Sequence, residues 1–133
     1  MRPSEGRQTA DGAKPRDIKE RTFEFALAVV RLCRAVETGA HATSAALGRQ
    51  LLRSATSVGA NVEEAQAGQS RADFASKYAI ALKEAREARY WLRLLAASDG
   101  AATGSYKELI DEAAEIARVI GAIIVKTRSR GGQ

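Results

Sequence analysis

The chain holds 133 residues, enough for one domain with one core and short for two. Hydrophobic residues make up 45% of it but aromatics only 5%, so the core has to be built from Ala, Leu, Ile and Val. Twenty-one Lys and Arg against 16 Asp and Glu leave a net charge of +5, and no apolar run approaches the roughly 18 residues that span a bilayer. The single cysteine excludes an intrachain disulfide and points to a reducing, cytoplasmic compartment.

Residues 1–16 (MRPSEGRQTADGAKPR) contain both prolines and almost no large apolar side chain. Burial cannot offset the entropy of ordering them, so they read as a mobile tail, with no apolar stretch of the kind a signal peptide needs. Four helical segments are expected next. The first opens at Asp17 with Glu20 three residues on, a variant of the capping box, and stops near Gly39. The second runs from near Ser44 to near Gly68. The third opens at Ser70 with Asp73 three residues on and ends before Gly100. The fourth opens at Ser105 with Glu108 three residues on and fades after Lys126. A second mobile tail, 128–133, is expected beyond a bundle of 17–127. Gly48, Gly59 and Gly121 fall inside helices, each at a cost of about 1 kcal/mol relative to Ala. Close helix approach is the expected reason for them.

Periodicity supports the assignment. Phe74, Tyr78, Ala81, Ala85, Ala88, Leu92 and Leu95 recur at alternating spacings of four and three. So do Leu51, Ala55, Val58, Val62 and Ala65, and also Tyr106, Ile110, Ala113, Ala117, Ile120 and Ile124. Such seams belong to helices packed at shallow angles, and no segment alternates with period two. The expected fold is all-α, an antiparallel up-down-up-down four-helix bundle. The first helix carries two seams: Phe23, Ala26, Val30 and Cys33, and beside them Phe25, Val29, Leu32 and Val36. The fourth adds Leu109, Ile116 and Ile123 to its main seam. This surplus points to a homo-oligomer; a wide core-facing stripe is the competing explanation.

A polar seam flanks the apolar one on the second helix: Ser54, Ser57, Asn61 and Glu64. The third helix offers Lys77, Glu84 and Glu87 on a line that continues into Trp91. Asn61 and Glu64 are expected to bond across the gap, to Arg53 or to the third helix. A network of Arg53, Ser54, Ser57, Asn61, Glu64 and Glu87 would then fix helix register. A functional polar pocket is the alternative. A carboxylate metal centre would need Glu-x-x-His on each of two helices. The one histidine, His41, sits in the first loop without such a partner and is expected to be solvated. Cys33 reads as a buried thiol and Trp91 as a filler of a core or interface gap. No phosphate-binding loop, dinucleotide fingerprint or nucleophile elbow is present. Neither enzyme activity nor a cofactor is expected.

Charge is more informative. Residues 70–97 carry a net +3 and residues 126–133 another +3, whereas 105–125 carry −2. Arg86, Arg89 and Arg93 share one face of the third helix with Lys83 adjoining, and the C-terminal segment adds Lys126, Arg128 and Arg130. A basic stripe with a basic tail is the footprint of a phosphate-backbone binder. A solvated face neutralised by Glu84 and Glu87 within the helix is the bland alternative. With few aromatics, a platform for single strands is not expected, and binding should proceed through the backbone with little sequence readout.

The stretch from Arg53 to Leu95 resembles the four helix bundle protein family, also called the ribosomal RNA intervening-sequence protein family. Arg53, Ser54, Ser57, Val58, Asn61, Val62, Glu64 and Ala65 match its R-S-x-x-S-[IV]-x-x-N-[IV]-x-E-[AG] run. Ser70, Asp73 and Phe74 match the following turn, and Glu87 the internal Glu of its third helix. The chain departs at Val58-Gly59-Ala60-Asn61, where Ile-Pro-Ser-Asn is usual, and at Lys83-Glu84, where Gly-Ser is usual. The resemblance implies a homopentamer of four-helix bundles around a central channel. Its relatives include the accessory protein of diversity-generating retroelements, which works with a reverse transcriptase and nucleic acid. Five copies would carry five times the charge of one. The expected function is therefore a non-enzymatic homo-oligomer contacting RNA or DNA through Lys83, Arg86, Arg89, Arg93, Lys126, Arg128 and Arg130. A protein-assembly scaffold or accessory factor without a nucleic-acid role is the rival, and no membrane partner is expected.

Overall fold

The computed structural model describes residues 17–38, 42–68, 70–99 and 104–131. The N-terminal segment 1–16 and His41 lie outside them. Four helices follow in order: α1 (Ile18–Thr38), α2 (Ala42–Gln66), α3 (Arg71–Asp99) and α4 (Gly104–Gly131). No strand occurs among the described residues. The starts are capped as their sequences dictate. Asp17 Oδ1 accepts from the Lys19 amide at 3.2 Å, and Ser70 Oγ accepts from the Asp73 amide at 3.0 Å.

Each helix packs on its sequence neighbours and α1 closes the ring on α4, with no diagonal contact among the described residues, so the bundle is a square. Contacts set the register. Thr22 meets Gly59 while Cys33, further along α1, meets Gly48, earlier in α2. Arg53 reaches Glu87 while Gln66 Nε2 donates to the Tyr78 hydroxyl at 3.0 Å. Rising numbers on one helix thus meet falling numbers on the next, and these neighbours run antiparallel.

The core is the predicted seams. Leu51, Ala55, Val58 and Val62 of α2 and Ala81, Ala85, Ala88, Leu92 and Leu95 of α3 are wholly buried. Four alanines among these nine residues leave backbones free to come close, which compensates for the scarcity of aromatics. Tyr78, only 1% exposed, fills the end of the core and stacks on Phe74 with centroids 4.3 Å apart. Burial raises its phenol pKa, since a phenolate would be stranded there.

Three expectations change. α4 continues as helix through Gly131, so Arg128 and Arg130 are helical rather than part of a tail. Cations in the last turn favour that end of the helix dipole, and no proline interrupts it. Cys33 sits on the core face of α1 with Ile18, Thr22, Phe25 and Val29, not on the Phe23 seam. The added line on α4 is core as well: Ile116 is fully buried, and Leu109 and Ile123 pack against it. Of the two surplus lines, the one left exposed is therefore that of α1, where Phe23 is 60% exposed; outside the lines, Val125 of α4 and Ile80 of α3 are exposed as well.

The interior glycines divide. A Cβ on Gly59 would lie 3.4 Å from both the carbonyl oxygen and Oγ1 of Thr22, so α1 and α2 cross closely there. A Cβ on Gly48 would make ordinary contact with Val36, and one on Gly121 would meet nothing within 4 Å, so close approach does not explain Gly121.

Candidate nucleic-acid interface

The basic face is a property of α3 and of what packs beside it. Lys83, Arg86, Arg89 and Arg93 are all exposed, and at 1.5 Å per residue they extend about 15 Å along the helix. Among the described residues none of the four enters an ion pair. Their potential neutralisers on the same helix point elsewhere. Glu87 accepts from Arg53 Nη2 of α2 at 3.0 Å, and Glu84, 8% exposed, stands 3.6 Å from Arg53 Nη1. One guanidinium on α2 thus engages both carboxylates of the α3 interior edge. The intrahelical neutralisation open in the sequence does not occur.

The expected polar network is accordingly narrower than its sequence pattern. Across the α2–α3 gap it consists of Arg53 with Glu84 and Glu87. Ser54 Oγ donates to the carbonyls of Gln50 and Leu51, Ser57 Oγ to that of Arg53, and Asn61 Nδ2 to that of Ser57 at 2.9 Å. These side chains satisfy themselves on their own helix, as short polar groups inside helices often do. Glu64 is exposed.

Lys126, Arg128 and Arg130 project from the last turns of α4 and are exposed. They do not join the α3 face. Arg130 and Thr127 line a shallow groove of about 470 Å³ together with Arg71, Gln66 and Phe74, at the turn between α2 and α3. Arg71 precedes Lys83 by about 18 Å along the axis. The molecule therefore presents two basic areas, one midway along α3 and one at the end where α4 finishes. Sequence reasoning passed over Arg71 because only the tertiary fold sets it beside Arg130.

A second, apolar groove of about 450 Å³ lies between α1 and α2, lined by Phe23, Ala26, Leu27, Val30 and the small residues Thr56, Gly59 and Ala60. Trp91 is half-buried with its indole N–H enclosed and unpaired among the described residues. The described residues contain no cluster of three His, Cys, Asp or Glu able to hold a metal, and no described helix is long and apolar enough to cross a membrane.

By class the protein is a square four-helix bundle with two basic areas and an apolar groove between α1 and α2. A family model described as 23S rRNA-intervening sequence protein matches residues 14–122, and the chain belongs to that family. A crystal structure of a protein of unknown function from the S23 ribosomal protein family of Bacteroides thetaiotaomicron is similar, at 38% identity and a TM-score of 0.73. The match covers 81% of this chain and 98% of that one. No curated protein matches the chain.

Proposed function

We propose that this chain is a non-enzymatic bundle that assembles with copies of itself, as a pentamer, and holds the sugar-phosphate backbone of RNA or DNA on the outer face of α3. The observation that supports it most is the withdrawal of Glu84 and Glu87 to Arg53, which leaves four cations on that face without a carboxylate partner. Assembly would repeat the face in each copy and strengthen a potential that is modest in one. The exposed groove around Phe23 and Leu27 supplies apolar surface for assembly. That groove also favours the rival reading, a protein scaffold with no nucleic-acid role.

Salt titration separates the two. If the four α3 cations each neutralise one phosphate of duplex DNA, log Kobs falls against log salt with a slope of about −3 to −4. The double variant Arg86→Gln/Arg89→Gln makes that slope shallower by about 2. Absence of binding at low salt removes the nucleic-acid reading and leaves the scaffold.

A further inference from the structure

The exposed face of α3 is not only cationic. Tyr90 is 51% exposed, and Arg86 at i−4, Arg93 at i+3 and Lys83 at i−7 place it on the same side of the helix. Trp91 meets the tyrosine ring edge-on, with centroids 5.2 Å apart, and is itself half-buried, so the exposed ring is braced from the bundle side. Beyond the ring lies an open groove of about 490 Å³ lined by Tyr90, Arg93, Leu94, Ala96, Ala97 and Ile110. An aromatic face, an apolar recess and guanidinium groups on either side form a setting for a flat apolar group joined to an anion.

We propose, resting on the nucleic-acid reading above, that Tyr90 stacks on one unpaired base of a single-stranded RNA or DNA while Arg86 and Arg93 hold the phosphates flanking it. A base in a duplex has no free π-face for the ring, whereas an unstacked base has one whatever its identity. The surrounding charge selects this occupant: four cations attract a polyanion, and an apolar segment without negative charge would leave them uncompensated. The shortage of aromatics argued against a platform for single strands, on which successive bases each need a ring. It does not argue against a single ring placed in the middle of the basic face, which gives one base contact and otherwise backbone binding.

The test uses the full chain, a labelled oligo(dT) single strand and a hairpin duplex with a matched number of phosphates, at low salt. Tyr90→Ala weakens single-strand binding by roughly 5- to 100-fold and leaves duplex binding unchanged, and Tyr90→Phe keeps the single-strand affinity. Trp91, the one tryptophan of the chain, reports the contact directly: oligo(dT) changes its emission in the wild type and the duplex does not. Equal loss on both nucleic acids, or no loss on either, overturns the stacking role while the charge reading stands. A fall in solution mass on Tyr90→Ala also overturns it and assigns the ring to a contact between copies. A wild type that binds neither oligonucleotide removes the charge reading itself, and the stacking role with it.

Discussion

Gly59 and Gly121 illustrate how one residue type inside a helix can mean two different things. Both cost helix stability by the same backbone entropy. At Gly59 that loss is matched by a helix crossing, because a methyl group there would press on Thr22 at the tight edge of ordinary contact, 3.4 Å from its carbonyl oxygen and Oγ1. Thr22 itself is wholly buried and donates its hydroxyl to the Ile18 carbonyl at 2.9 Å, so it has little freedom to move away. At Gly121 the space is open. Gly121→Ala is therefore expected to stabilise by about 0.5–1 kcal/mol, raising the thermal midpoint by a few degrees, and Gly59→Ala to give no gain. Denaturation followed by circular dichroism checks both, and equal gains at the two sites would contradict the crossing. The sequence assigned one reason to both glycines because a crossing partner is not written in the local pattern. The same limit applies to Asn61: its spacing placed it correctly beside the seam, but not the direction in which its amide would bond.

Elements are joined unequally. α1 and α4 share the thinnest of the four helix interfaces, and they are clamped by a bidentate ion pair, Arg21 Nε and Nη2 to Glu112 at 2.7 and 2.9 Å. Bonding to Glu112 raises the Arg21 pKa further above its ordinary range, so the charge is permanent. The pair is about a quarter exposed on each side, unlike Lys107–Asp111, whose side chains are 77% and 65% exposed. A double-mutant cycle of Arg21→Ala and Glu112→Ala is expected to give a coupling of about 1 kcal/mol. The same cycle on Lys107 and Asp111 should give much less, and comparable couplings would show that the α1–α4 clamp adds nothing. No sequence pattern announced the pair, because its members are 91 positions apart. By contrast, the α2 and α3 seams were legible, since all their residues but the half-buried Phe74 are in the core at the spacings of three and four that a helix face requires.

The whole molecule presents an apolar groove between α1 and α2 and its α3 cations on another face. Phe23 and Leu27 beside Gly59 and Ala60 offer apolar surface that a lone bundle leaves in water. Light scattering is expected to give a multiple of the 14.2 kDa subunit, five-fold for a pentamer. Phe23→Ser/Leu27→Glu is expected to lower that mass without loss of helicity, because neither side chain belongs to the core. A wild type that remains at 14.2 kDa at high concentration would remove the assembly, and with it the repeated basic face.

Periodicity determined the fold on its own: the four segments, their apolar seams and the all-α architecture follow from spacings of three and four that only helices can bury together. The basic stripe was equally visible, since residues three and four apart on one helix must share a face. What the tertiary structure decided is where each helix turns its remaining sides. It drew Glu84 and Glu87 toward Arg53, put Ile116 in the core, left Phe23 outside and kept the Tyr90 ring exposed. These outcomes depend on which neighbour lies across each groove, and a neighbour distant in sequence exerts its force only after the chain has folded.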